Sequence, residues 1–462
     1  MLDRNLYRRS TGLLPVCLGA VFGLASTPAL SAGLLDVYEM AKENDPRYQE
    51  EFYGKDATDE RYYQARSTLL PQVNLTATRT EISQDIVSSD NEEYESGSTS
   101  YPSTSYGASI EQSIYDYSRW AAFDKAKAEI KQAASELEVA RQDLFLRVAE
   151  RYFAALSLYE TLTYLQSEKN EVQANLDDIS ARYNDGLVRE VELLDAEARY
   201  QQVDAREMEV ANELRDALEG LAEITGNPPD TLQPVTNELE LERPDPDSVE
   251  AWEELSQERS PRLKAALLGT DVASEELKER RGGHLPTLDL NVNYESDDTE
   301  GSLFGGGSEV ESQDIAVTLN VPVYSGGSTS SSVREGETLI NASDSRLERV
   351  TRELNREVRS GYQGILTSMS RERSLKKSLE ASERVVESRE VGVESGTTPV
   401  LDLLDAERDL FYARSELASA RYDYLMSILS LKHAAGVINV DDLAQIDEML
   451  GEDADVLAVG QR

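Results

Sequence analysis

Leu193-Leu194-Asp195-Ala196-Glu197 returns letter for letter at Leu403-Leu404-Asp405-Ala406-Glu407, 210 residues downstream. Outward from this stretch, Gly186 and Gly226 return as Gly396 and Gly436 at the same offset. Further toward each half's start the offset becomes 215. Asn44-Asp45-Pro46-Arg47 returns as Arg259-Ser260-Pro261-Arg262, Gly54 and Asp56 as Gly269 and Asp271, and Leu70-Pro71 as Leu285-Pro286. Tyr115 matches Tyr324, 209 residues on. One ordered series of matches with small length changes marks a duplicated half-protein; the period is far too long for a solenoid.

Both halves run through the same plan. A helical segment comes first, at about Leu34–Arg66 and Ser248–Arg281, and ends at a Leu-Pro junction. Two alternating segments follow around a polar loop, then a very long helical segment, a Gly-centred turn and a second long helix. Strands are expected over residues 72–85, 101–114, 287–296 and 313–324, and long helices over 116–226 and 327–436. The chain then divides into a signal segment (1–32), a first repeat (33–247), a second repeat (248–436) and a C-terminal segment (437–462).

The alternating segments bear on the membrane. Leu288, Leu290, Val292 and Tyr294 alternate with Asp289, Asn291, Asn293 and Glu295; Ile315, Val317, Leu319 and Val321 alternate with Ala316, Thr318 and Asn320. In the first half Val73, Leu75 and Ala77 alternate with Asn74, Thr76 and Thr78, while Tyr106, Ala108 and Ile110 alternate with Gly107 and Ser109. Side chains on a strand point to opposite faces with period two. One apolar and one polar face suit a tilted strand between lipid and a watery lumen; a half-buried sheet in a soluble domain shows the same alternation. Four strands cannot close a membrane barrel, which takes about eight or more. Open edges in lipid would leave backbone groups unpaired. Strands in the membrane therefore require several chains around one barrel. Tyr115, Tyr117, Trp120 and Tyr324 follow the strands, as interfacial aromatics would. The loops Ser88–Ser100 and Asp297–Ser312 are rich in Ser, Gly, Asp and Glu and read as exposed tips.

The helices set a length. No proline or glycine falls between Asp116 and Asp185, and apolar residues recur there at helical spacing. Some 70 residues would span roughly 105 Å. Gly361 and Gly364 interrupt the matching stretch of the second half.

Composition narrows the class. Of 462 residues 39% are hydrophobic, and mean hydropathy is −0.50. Beyond the first thirty or so residues no apolar stretch approaches the ~20 needed for a spanning helix. Arg4, Arg8 and Arg9, the apolar run Leu13–Leu24 and the small residues of Ala25–Ala32 read as a secretory signal cut after Ser31 or Ala32. The single cysteine, Cys17, lies inside it, preceded by Pro15 and Val16 where a lipidation site wants small residues. The net charge of −42 repels nucleic acid and suits a solvated surface in a saline medium that screens self-repulsion. His284 and His433 have no ligand-spaced partner, and Gly54-Lys55 lacks a phosphate-loop pattern. No enzyme activity, metal or cofactor is expected.

Four stretches carry a resemblance: Gln112-Ser113-Ile114-Tyr115-Asp116-Tyr117-Ser118-Arg119-Trp120, Tyr183-Asn184-Asp185-Gly186-Leu187-Val188, the run Ser395-Gly396-Thr397-Thr398-Pro399-Val400 on to Ala406, and Ala418 to Leu425. With them the chain from about Leu34 to Leu450 resembles the TolC family of outer-membrane efflux and type I secretion channels. The resemblance implies a homotrimer with a twelve-stranded barrel in outer-membrane lipid and a twelve-helix tunnel across the periplasm. A mixed belt would be built partly from Gly226–Asp247 and the C-terminal segment. It also implies a periplasmic adaptor and an inner-membrane ABC or RND transporter as partners. Pro71, Pro286 and Pro322 would sit at strand–helix junctions, and Ser113 stands where the first half lacks one such proline. Asp402 and Asp405 match the family's paired gate aspartates. Spaced by three, they share a helix face, and rings of carboxylates favour cations. Glu192 and Asp195 form a similar pair in the first repeat. The family pattern closes its entrance through an arginine and a tyrosine bonded to an aspartate and a threonine. Here Thr398 and Val393 replace the donors, Glu192 keeps the acid and Val191 loses the hydroxyl, so the closing network must differ. The competing reading is a pore-less periplasmic adaptor or structural coiled-coil protein, although neither a membrane anchor nor a lipoyl-like domain is evident.

Overall fold

The computed structural model describes residues 31–87, 97–229, 231–236, 239, 241–302, 306–451, 454 and 456. Most of the signal segment with Cys17, residues 88–96 of the first polar loop and Gly305 lie outside the described residues, as do parts of the belt and of the C-terminal segment.

Each repeat opens with two helices rather than one. α1 (Leu34–Asn44) and α2 (Pro46–Ser67) in the first repeat correspond to α5 (Val249–Arg259) and α6 (Pro261–Gly282) in the second. The expected single segments break at Asp45 and Ser260 because Pro46 and Pro261 follow. A proline ring cannot continue a helix but fits its first turn. Asp45 accepts hydrogen bonds from the backbone N–H groups of Arg47 (2.7 Å) and Tyr48, and Ser260 accepts one from Leu263. Such caps satisfy amides that lack partners at a helix start.

Across the Leu-Pro junctions come β2 (Gln72–Ile86) with β3 (Gly97–Tyr115), and β5 (Thr287–Thr299) with β6 (Ser308–Asn320). They form one antiparallel sheet in the order β2-β3-β5-β6. The last strand is displaced from the expected 313–324: it starts at Ser308 and stops at Asn320, ahead of Pro322. Its polar start, Glu309 to Ser312, pairs with Asp298 to Glu295 and continues the ladder beyond the apolar stretch. Register aligns the apolar residues. Val73 faces Ile110, Ile110 faces Val292 and Val292 faces Ile315; Leu290 faces Val317 and Leu288 faces Leu319. Opposed residues share a face, so one side of the sheet is an apolar band. The other side carries Asn74, Ser109, Asn291, Asn293 and Thr318. Val73, Leu75, Ile110, Ile315, Val317 and Leu319 are exposed in the single chain. Among the described residues, the outer edges of β2 and β6 have no strand partner in the sheet.

Two hairpins of long helices extend from the sheet. α3 (Tyr117–Asn184, 68 residues) turns into α4 (Glu190–Thr225), and α7 (Ser328–Glu394, 67 residues) turns into α8 (Val400–Ala434). At ~1.5 Å per residue α3 is roughly 100 Å long. α7 runs unbroken through Gly361 and Gly364, contrary to the expected interruption. A Cβ on Gly361 would sit 3.2 Å from the Leu431 Cα, so this glycine lets α7 approach α8 closely.

The core lies about midway along the hairpins. Leu144, Phe145, Val148, Tyr152 and Leu156 of α3 meet Leu214 and Leu221 of α4, Leu425 and Leu429 of α8, and Val37 and Tyr38 of α1. α9 (Val440–Asp447) adds Leu443 and Ile446. A short parallel pair, β1 (Ser31–Ala32) with β4 (Thr231–Leu232), lies beside it, and the expected signal segment ends within β1. Tyrosine hydroxyls pin the strap around residues 233–242: Tyr152 meets the Gln233 amide at 3.0 Å, and Tyr424 the Glu242 amide at 2.8 Å. Toward the hairpin tips apolar packing thins to a small cluster of Val386, Ala406 and Leu410.

Candidate functional site

The two tip turns are built alike. Gly186 and Gly396 adopt φ of 73° and 72°, a left-handed conformation that glycine takes without a Cβ penalty. The Leu187 amide reaches the Arg182 carbonyl at 2.8 Å, and the Thr397 amide reaches Gly392 at 2.8 Å. These six-to-one bonds close each helix end. Gly226 and Gly436 adopt the same hand at the other ends of the hairpins. Four of the six glycines singled out by the repeat thus serve turns, while Gly54 and Gly269 lie inside α2 and α6.

Asp402 and Asp405 lie in the first two turns of α8, each about half exposed. Neither is a bare carboxylate. Asp402 accepts from Arg389 of α7 at 3.1 Å. Asp405 accepts from Arg199 of α4 at 2.5 Å, with Arg408 at 3.5 Å. Glu192 pairs with Arg189 at 2.9 Å inside its own turn, and Val191 beside it is exposed. Asp195 lines a groove of about 820 Å³ between α3, α4 and α8, as do Arg199 and Asp405. Val393 is partly buried, and its carbonyl takes the Gly396 amide. The Thr398 amide bonds to the Gly392 carbonyl at 3.1 Å. A Cβ at 392 would collide with Thr398 Oγ1, so that glycine makes room for the threonine. The tip therefore brings Asp195 and Asp405 to one groove, while Asp402 turns to Arg389 of α7 and Val393 and Thr398 shape the turn. Pro71 immediately precedes β2, Pro286 immediately precedes β5, and Pro322 lies two residues past β6.

The arginines were not foreseen from sequence, nor was Glu407. Glu407 Oε2 is buried with no hydrogen-bond partner among the described residues. Burial, and then the charges of Glu171 and Glu390, push its carboxyl up to about 7, against an opposing pull from Arg199. Burial raises Glu168 also, opposed by Arg199 and Arg408. One available signal was Arg199 itself, four residues past Asp195 and so on the same face of a mostly acidic helix.

Of the histidines, His433 Nε2 lies 2.7 Å from Asp143, tying the end of α8 to α3. His284 sits in the turn before β5, its amide on the Arg281 carbonyl.

An apolar sheet face in register, two unpaired sheet edges and hairpins of roughly 100 Å define one subunit of a shared membrane channel. The model of the family "outer membrane efflux protein" matches residues 37–227 and 252–437, one block per repeat. The outer membrane protein TolC of Vibrio cholerae is 32% identical over 437 residues, covering 94% of this chain and 98% of its own. The proteases secretion protein PrtF of Dickeya chrysanthemi is 26% identical over 438 residues, 93% of this chain and 94% of its own. Among solved structures the CmeC outer membrane channel of Campylobacter jejuni superposes with a TM-score of 0.76 at 17% identity, covering 90% of this chain and 89% of that one. The chain belongs to the outer membrane efflux protein family. Its sheet sits in the outer membrane and its helices reach into the periplasm. The pore-less adaptor reading is not favoured.

Proposed function

We propose that three copies of this chain form a passive exit duct for drugs, proteins or both, fed by an inner-membrane ABC or RND transporter through a periplasmic adaptor. One observation carries the reading: an apolar band crosses all four strands in register while both sheet edges stay unpaired. Lipid on one face and a neighbouring copy at each edge satisfy both features. The helices next to the edges agree. α2 follows one edge strand's side of the sheet with Phe52, Tyr53 and Tyr63 exposed, beside Glu50, Glu51, Asp56 and Glu60. α7, next to the other edge strand, turns Arg346, Arg349, Arg352 and Arg356 outward. The aromatics of α2 and the arginines of α7, three of which pair with Glu348, Glu353 and Glu357 of their own helix, lie on the two surfaces that neighbouring copies would join. Residues 1–32 serve as the export signal. Pro71 and Pro286 turn the chain from helix to strand, and Pro322 turns it from strand to helix.

At the tips, Asp402 and Asp405 of three copies form carboxylate rings that favour cations, with Glu192, Asp195, Val393 and Thr398 as their neighbours. The chain supplies no energy source and the duct is not an enzyme. The experiment is current across a planar bilayer from the purified protein, with Asp402→Ala/Asp405→Ala as comparison. The parent passes cations in preference and is blocked by multivalent cations; the double variant loses both properties. Selectivity and block that survive the double substitution would remove the rings from the reading, and absence of any current would remove the duct.

A further inference from the structure

The two faces of α3 carry different chemistry near its middle. Leu144, Phe145, Val148 and Tyr152 enter the core shared with α1, and Tyr152 also holds the strap. Glu136, Ala140, Asp143 and Arg147 follow one another at spacings of four, three and four. At about 3.6 residues per turn they form the opposite stripe. That stripe lines a cavity of about 880 Å³ bounded by α2, α3, α6 and α7 of the one chain. The cavity lies beside the first turns of α2 and α6, at Arg47 and Arg262. A belt of chain packed inside a tunnel would plug it. In the duct proposed above, α1 and the strap therefore lie outside, and the cavity opens on the passage.

Its charge departs from that of the chain. Acids outnumber bases 88 to 46 overall, yet here four arginines meet four carboxylates. Two of the carboxylates are already held: Glu136 accepts from Gln132 at 2.9 Å, and Asp143 lies 2.7 Å from His433 Nε2. Two of the arginines are engaged as well, Arg262 with Glu357 at 2.6 Å and Arg147 with Asp45. Arg147 nonetheless keeps its Nε buried with no acceptor among the described residues, and a buried donor without an acceptor is costly. Arg47 of α2 and Arg346 of α7 are exposed and have no ion pair among the described residues. Glu50 and Glu51 stand exposed one turn from Arg47 and compete for it. Three guanidinium groups on three helices thus line one cavity with donors unspent.

We propose that this cavity binds an elongated small molecule carrying oxyanions, phosphate or carboxylate, at both ends. Arg47 and Arg346 take the two ends and Arg147 Nε supplies a donor between them. The helices lie in the order α2-α3-α6-α7, so the axes of α2 and α7 are on the order of 25 Å apart. Two extended arginine side chains close roughly half of that gap, which leaves room for an extended ligand and not for a single small ion. Guanidinium suits the task because its planar fork matches the oxygens of phosphate and carboxylate. The starts of α2 and α6 add the positive ends of two helix dipoles. Glu50 and Glu51 keep the affinity low by drawing on Arg47, as suits a station that must release what it holds. The opening of the cavity on the passage rests on the duct reading; the binding itself does not.

The test is titration calorimetry of the purified full-length protein with sodium tripolyphosphate. The parent takes up one equivalent per chain. Arg47→Ala and Arg346→Ala each weaken binding roughly tenfold, the worth of one charge-assisted hydrogen bond. Glu50→Gln/Glu51→Gln tightens it, a change of sign that a merely structural role would not produce. Arg349→Ala removes an equal charge from α7 outside the cavity and leaves the affinity at the parent's value. No uptake by the parent overturns the proposal. Equal weakening by all three arginine variants also overturns it, since that marks general attraction to surface charge. Heat-modifiable gel migration identifies any variant that fails to assemble; Arg47→Gln and Arg346→Gln then take its place, and parent-like affinity in both overturns the site. Current across planar bilayers separates the site from the duct. Tripolyphosphate lowers the current of the parent and not that of Arg47→Ala/Arg346→Ala. Uptake without any block refutes the opening of the cavity on the passage, and a parent that takes up the probe but carries no current refutes the duct and not the site.

Discussion

Ile315→Arg is the substitution that most directly tests which face of the sheet meets lipid. Ile315 ends a row, Val73–Ile110–Val292–Ile315, that crosses all four strands without a polar side chain. It is 75% exposed in the single chain, so arginine meets no steric obstacle and the effect isolates the surrounding medium. A cationic side chain on the lipid face of a membrane strand costs about 2–4 kcal/mol near the midplane and about 0–1 near the interfaces. In the proposed trimer three copies multiply this to roughly 6–12 kcal/mol per assembly. The control is Ala316→Arg, one residue along and on the opposite face, where a watery lumen would leave it nearly neutral. The assay is the temperature at which the assembled form dissociates in detergent gels, together with the yield in outer-membrane fractions. Ile315→Arg should lower both sharply and Ala316→Arg should leave both near the parent. Equal losses would refute the lipid-facing band; a larger loss from Ala316→Arg would mean the sheet faces the other way.

Other expectations concern the helices. Glu407 is raised to about 7 from an ordinary 4.5, so its protonated form is favoured by folding. That contribution is complete below about pH 4.5, shrinks as pH rises and is lost above 7. Glu407→Gln should therefore raise the melting temperature at pH 8 and match the parent near pH 5; because the group is only partly buried, screening limits the gain to about 1 kcal/mol. An equal gain at both pH values would mean that proton linkage is not the cause. Tyr422→Phe removes the donor to the partly buried Glu160 and the acceptor of the Val235 amide. About 1.5–3 kcal/mol should go, seen as faster protease cleavage of the strap near residue 235, and unchanged cleavage would count against the pin. Gly436→Ala and Gly396→Ala impose the same left-handed backbone cost of about 1–2 kcal/mol. A Cβ at 436 would also meet the Ser260 Cα at 2.5 Å, whereas the space at 396 is open. Thermal melts should thus show a markedly larger loss for Gly436→Ala, and equal losses would contradict the packing.

Much of this fold was legible because duplication let the chain be compared with itself. The paired glycines 186/396 and 226/436 are left-handed turn positions, since no side chain tolerates that backbone as cheaply, whereas the pair Gly54/Gly269 lies within helices. The proline-free stretch from Asp116 to Asp185 became one helix for an equally local reason. The breaks at Asp45 and Ser260 show in the sequence as the matched prolines 46 and 261, but the match alone does not reveal the caps before them. The start of β6 escaped because Glu309 to Ser312 have no apolar alternation; their partners on β5, not their own pattern, make them a strand. The tip arginines escaped for a stronger reason. Arg199 and Asp405 are 206 positions apart, and only the packing of two hairpins brings them together. Local spacing could propose the carboxylates but could not supply their counter-charges.

The tyrosine pins around Gln233 and Glu242 have a mechanical consequence. From Tyr152 to the end of α3 runs an arm of 32 residues, about 48 Å. With the pinned point as fulcrum, a tilt of roughly 5° moves the far end by about 4 Å, nearly the diameter of a bare side chain. A displacement too small to disturb the strap's hydrogen bonds is thus amplified at the mouth of the duct. The stiffness of the pinned belt thus sets how far a hairpin travels once its tip contacts let go.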